Sequence, residues 1–86
     1  MRRIRFDRTY LRDFAALESG LTEKDRQTLD RIMAAVVANP SLPGRVPSFY
    51  DPDRPSWLAR ADPFVLHYMH DVDADEVVFL NLFQRR

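Results

Sequence analysis

Two runs near the end of the chain, FVLHYMH at 64–70 and VVFLNLF at 77–83, are apolar at nearly every position, and the acidic segment DVDADE separates them. Both are rich in β-branched and aromatic residues and are too short for typical helices, so they read as strands. With a polar, solvated turn between them they form an antiparallel hairpin. Strands that are apolar throughout, rather than at alternate positions, belong in the middle of a sheet with both faces covered. Two helices have to provide that cover on one side. A loop, a partner or the C-terminal residues have to provide it on the other.

The rest of the chain supplies these parts. Arg3, Ile4, Arg5 and Phe6 alternate with the period of a half-buried strand, which predicts a first strand over 2–7 with Ile4 and Phe6 on its apolar face. From Tyr10 the period changes. Tyr10, Leu11, Phe14 and Leu17 recur at helical spacing, predicting a helix over 9–18 with Gly20 as its left-handed stop. Thr22 and Asp25 then have the spacing of a capping box, with acid at the positive end of the helix that follows. Leu29, Ile32, Met33, Val36 and Val37 form one stripe of that helix, predicted over 23–38, until Asn39 and Pro40 end it. The segment 39–57 holds five of the six prolines, so it is expected to be a loop with at most a short edge strand. The fold class is therefore α+β, a single domain over 1–86: an N-terminal strand, a two-helix hairpin, then antiparallel strands forming a small sheet.

Composition agrees with one packed domain. A chain of 86 residues has room for one core, burying roughly 60 to 65% of its unfolded surface. With 45% hydrophobic residues and only two glycines it is not the composition of a disordered segment. The absence of cysteine excludes disulfides, thiolate nucleophiles and cysteine-ligated zinc, and fits a reducing compartment. The basic start MRRIRFDRTY leads into no apolar stretch of signal-peptide length, and no run approaches the ~20 apolar residues that span a bilayer. The expectation is a soluble, cytoplasmic protein with no membrane partner.

Charge is balanced overall but not along the chain. Thirteen basic residues offset thirteen acidic ones. Arg2, Arg3, Arg5, Arg8 and Arg12 crowd the N-terminus and Arg85 and Arg86 close the chain, whereas Asp51, Asp53, Asp62, Asp71, Asp73, Asp75 and Glu76 lie between. A local basic patch therefore requires the two termini to meet in space. Asp71, Asp73 and Asp75 alternate as in a calcium loop, but the glycine position holds Glu76 and the twelfth holds Leu82, which excludes an EF-hand. His67 and His70, three apart on a strand, point to opposite faces and share no metal. No phosphate-binding glycine loop and no serine-nucleophile motif is present.

The order of basic strand, helical hairpin, Asn-Pro stop and the closing segment SWLARADPFVLHYMHDVDADEVVFLNLFQRR resembles the RelE/ParE superfamily of toxins from bacterial type II toxin–antitoxin pairs. Trp57 and Arg60 match the family's aromatic and arginine. Phe64, Leu66 and Tyr68 match its strand, and Arg85 and Arg86 match its basic end. The resemblance implies a toxin that inhibits translation by ribosome-dependent mRNA cleavage. Arg60, Tyr68, His70 and Arg85 are then the catalytic candidates, and Arg45, Arg60, Arg85 and Arg86 the nucleic-acid contacts.

On that reading Arg60 clamps the scissile phosphate, Arg85 assists, and Tyr68 or His70 transfers a proton. The implied partners are a cognate antitoxin, the ribosome and mRNA, with no cofactor and no metal. One departure stands out: Val65 occupies the place of the usual strand arginine, and loss of one charge-stabilising donor costs on the order of 3 kcal/mol. Val65 and the zero net charge point toward an alternative, a toxin that acts by binding, as gyrase-poisoning members do, or a relative that only binds an antitoxin. An α+β interaction domain unrelated to toxins is the generic reading.

Overall fold

The computed structural model describes residues 2–49 and 52–85. Its elements are β1 (Arg3–Phe6), α1 (Arg8–Leu17), α2 (Glu23–Ala38), β2 (Val46–Ser48), β3 (Ser56–Ala61), β4 (Phe64–Asp71) and β5 (Glu76–Gln84). The strands form one sheet in the order β1-β5-β4-β3-β2, with β1 parallel to β5 and every other pairing antiparallel. The helical hairpin carries the chain from β1 at one edge of the sheet to β2 at the other, and β5 later returns to lie between β1 and β4.

Most of the expected elements are present. α2 spans 23–38, and its capping box is formed: Thr22 Oγ1 accepts from the Asp25 N–H while Asp25 Oδ2 accepts from the Thr22 N–H, each at 3.0 Å. Arg2 holds the other end of this helix, donating to the carbonyls of Val37 and Ala38 where the helix dipole favours a cation.

Three expectations change. Gly20 is not a left-handed stop; α1 ends at Leu17 and tightens into a 3-10 turn over Glu18–Gly20, closed by the Leu21 N–H on the Glu18 carbonyl. Ile4 and Phe6 do face the helices, but β1 is an edge strand and they stay 50% and 42% exposed. The proline-rich segment contains the short edge strand β2, and SWLARA, which has no strand signature, forms the six-residue β3.

The apolar hairpin is not covered equally on its two faces. Phe64, Leu66, Tyr68, Val77, Phe79 and Leu82 turn toward the helices and are buried with Tyr10, Leu29, Val36 and Ala59. A β-bulge makes this possible. The register steps from His67↔Asn81 to Tyr68↔Phe79, so Leu80 is the extra residue. Strict alternation from Val77 and Phe79 would send Asn81 into the core; the bulge puts Leu82 there instead and leaves Asn81 on the other face beside His67.

Beyond Phe6 the exposed edge of β5 is taken over by α1. The Asp7 N–H donates to the Phe79 carbonyl at 2.9 Å, Thr9 Oγ1 donates to the Leu80 carbonyl, and Asp13 Oδ2 accepts from the Leu82 N–H at 3.1 Å. Thr9 and Asp13 are one helical turn apart and replace the missing strand with side-chain partners.

Candidate functional site

The face away from the helices carries the polar chemistry. Strand alternation places Ser56, Leu58 and Arg60 of β3, Val65, His67 and Met69 of β4, and Val78, Asn81 and Phe83 of β5 on this open face. Arg3 and Arg5 join them from β1 through their register with Glu76 and Val78.

At one end of the face the two termini of the closing segment meet. Arg60 lies opposite Val65, which lies opposite Phe83. The Arg85 N–H donates to the Pro63 carbonyl in the β3–β4 turn at 2.6 Å, which fixes the end of the chain beside that turn. Arg60, Asp62, Gln84 and Arg85 line one shallow depression. The Arg60 side chain is 60% exposed and pairs with the still more exposed Asp62 at 3.8 Å. An ion pair this solvated contributes little and leaves the guanidinium available to an anionic ligand. Phe83, 48% exposed, gives the depression an aromatic neighbour.

The other sequence candidates lie elsewhere. Tyr68 belongs to the core: it has no exposed surface, and its hydroxyl donates to the Pro40 carbonyl at 2.6 Å. Burial pushes its phenol pKa up, against a smaller lowering pull from Arg45, so it stays protonated and closed to a substrate. His70 is on the helix-side face, five residues along β4 from Val65, which is about 16 Å at the strand rise. Its Nε2 lies 3.1 Å from Asp75 Oδ1. Arg2 binds the same carboxylate oxygen at 2.9 Å, and the two hydrogen bonds, Arg2 first and His70 second, hold Asp75 below the usual carboxylate range. Arg45 is a brace on the helix side, its guanidinium 3.5 Å from the Trp57 ring centroid while Nη1 donates to the Pro40 carbonyl at 2.8 Å. Arg86 lies outside the described residues. Of the candidates, then, the structure brings together Arg60 and Arg85.

It also brings together residues that the sequence reading passed over. Ser56 Oγ lies 2.8 Å from His67 Nε2, His67 Nδ1 lies 2.9 Å from Asn81 Oδ1, and Asn81 Nδ2 lies 3.2 Å from Asp13 Oδ2. Arg5 and Arg54 stand at the rim of the pocket above Ser56 and His67. Strand parity was the available signal, because His67 alternates with Leu66 and Tyr68 and so faces away from them.

Among the described residues no three His, Cys, Asp or Glu side chains gather as metal ligands, and no helix is long and apolar enough to cross a membrane.

Comparison with solved structures assigns the architecture. Over 98% of this chain, the archaeal RelE–RelB complex from Pyrococcus horikoshii OT3 superposes on 94% of the matched chain with a TM-score of 0.75 at 15% identity. The isolated E. coli RelE toxin matches 100% of this chain and 86% of its own, with a TM-score of 0.69 at 16% identity. The chain has the RelE fold. No family model matches the sequence, and no curated protein is similar to it at a significant level. The likeness to RelE is therefore one of backbone, and the open face described above is the sheet surface that the helical hairpin leaves uncovered.

Proposed function

We propose that this protein is the toxin of a type II toxin–antitoxin pair and that it acts in the cytoplasm, inhibiting translation by cutting mRNA on the ribosome. The observation that carries the reading is the meeting of Arg60 and Arg85 at one end of the open face of a RelE fold that covers the whole chain. Two guanidiniums bind a phosphodiester by charge-assisted hydrogen bonds and neutralise the charge that builds on it as a neighbouring hydroxyl attacks. Phe83 offers a stacking surface to an adjacent base. Val65 leaves the centre of this surface apolar, so binding affinity rests on the arginines at its rim and on contacts made by the ribosome.

The partner that silences such a toxin is an antitoxin, as the archaeal RelE neighbour is paired with RelB. Its binding raises the melting temperature by linkage. Induction in a bacterial host tests the reading. Growth arrest accompanied by cut transcripts, relieved by Arg60→Ala and by Arg85→Ala, is expected. Arrest with intact transcripts replaces the nuclease with a toxin that acts by binding, and normal growth removes the toxin reading.

A further inference from the structure

Four side chains cross the sheet from β3 to α1, and the atoms at one end place the hydrogens along the whole chain. Asp13 Oδ2 accepts from the Leu82 N–H at 3.1 Å and from Asn81 Nδ2 at 3.2 Å. Asn81 therefore turns its carbonyl oxygen toward His67, where Oδ1 lies 2.9 Å from Nδ1. An amide oxygen only accepts, so Nδ1 carries the hydrogen and Nε2 presents its lone pair. The Ser56 hydroxyl, 2.8 Å from Nε2, donates to it. A hydroxyl, an imidazole base and an orienting carbonyl are thus in line, and a fourth group fixes the orienting one. That is the arrangement that activates a hydroxyl as a nucleophile.

The hydroxyl is not sealed off. Ser56 and His67, each 5% exposed, line a pocket of about 140 Å³ on the open face together with Arg5, Asp7, Arg54, Met69 and Leu80. Arg5 is already paired with Glu76 at 3.2 Å, and Arg54 Nη2 rests 3.9 Å from the Met69 sulfur. Asp7 lines the same cavity and offsets part of this charge; a guanidinium has five N–H donors, and a tetrahedral phosphate ester matches in geometry those that Glu76 and Asp7 leave open. Ser56 is four residues along β3 from Arg60, about 13 Å, so this is a second site and not part of the Arg60–Arg85 depression.

We propose that Ser56 is an activated nucleophile that takes a phosphoryl group from a phosphate ester held by Arg5 and Arg54. The Ser56 Oγ–phosphorus bond forms as the phosphorus–oxygen bond to the leaving alcohol breaks. The Ser56 proton passes to His67 Nε2 and then to the departing alkoxide, giving phosphoserine and the free alcohol. His67 is the base; Asn81 and Asp13 are positioning residues. This inference stands on the hydrogen-bond geometry and does not rest on the toxin reading.

A fluorophosphonate probe tests it, since its fluoride leaves as the Oγ–phosphorus bond forms. The full chain is treated and its peptides are read by mass spectrometry, with circular dichroism to establish that each variant is folded. The expected result is an adduct on Ser56 in preference to Ser19, Ser41 and Ser48, slowed by inorganic phosphate and absent in Ser56→Ala. Labelling falls about a hundredfold in His67→Ala. It also falls in Asn81→Leu, which cannot orient the imidazole. No adduct on Ser56 of the folded wild type overturns the proposal, as does labelling spread evenly over the serines. Labelling unchanged in a folded His67→Ala or Asn81→Leu shows the four side chains to be a structural tie only, and labelling indifferent to phosphate overturns the anion site.

Discussion

Tyr68 and His67 are adjacent in the sequence and belong to different parts of the molecule. Tyr68 points into the helix-covered face, where it has no exposed surface and its hydroxyl is committed to the Pro40 carbonyl. His67 points to the open face, where both ring nitrogens are engaged in a polar chain that borders a pocket. The same contrast runs along the whole hairpin. Residues from Phe64 to Leu82 that face the helices make an apolar core, and residues one position away include His67 and Asn81, beside Arg60 of β3 and Arg5 of β1. In a RelE fold the pleat of two strands thus separates stability from chemistry, and a side chain's parity says more about its role than its identity does.

The contrast is broken most severely from the core side. Tyr68→Ala should cost about 4 kcal/mol, through lost burial and the cavity left behind, measured by urea denaturation. At the seam between the faces, Asp13→Ala leaves the Leu82 N–H and the Asn81 amide without their shared acceptor and should cost about 2 kcal/mol in the same assay. Tyr68→Phe removes only the hydroxyl, at about 1 kcal/mol, and should leave any toxicity intact; a variant that kept its stability but lost toxicity would return Tyr68 to the working site. Arg60→Ala should shift stability by no more than about 0.5 kcal/mol while abolishing growth arrest.

Acid sharpens the comparison from outside both faces. Asp75 is held below the usual carboxylate range by Arg2 and then His70, and Asp7 by the side-chain and then the backbone hydrogen bond from Thr9. A depressed folded pKa contributes stability that is fully present above the unfolded value, about 3.9, and is lost as the pH falls through the folded value. Denaturation midpoints should therefore decline below pH ~4, and Asp75→Asn should reduce that decline.

What could be read from the sequence was what repeats within one element. The α2 stripe and its Thr22–Asp25 box gave that helix its bounds, and two β-rich runs around an acidic turn gave the hairpin. β3 was hidden because its core-facing positions include Ala59 and Ala61, small residues without strand character, at a place where α2 packs closely on the sheet. The bulge at Leu80 was hidden because VVFLNLF is apolar at every position but Asn81, and one polar residue does not fix where the alternation resets. The convergence of Arg60 with Arg85 depends on the Arg85–Pro63 backbone bond, which ties residues far apart in the chain. His70 lies on the helix-side face beside Asp75, opposite in parity to His67 and away from the Arg60–Arg85 depression.

The measurement that bears most directly on the account is cleavage of a defined mRNA in a reconstituted translation reaction, with wild type and Arg60→Ala compared at equal folded concentration. The account predicts cuts that appear with the wild type only when ribosomes are translating, and that disappear with Arg60→Ala while its melting curve is unchanged. Equal cleavage by both proteins, or none by either, would contradict the assignment of the Arg60–Arg85 end of the open face as the working site.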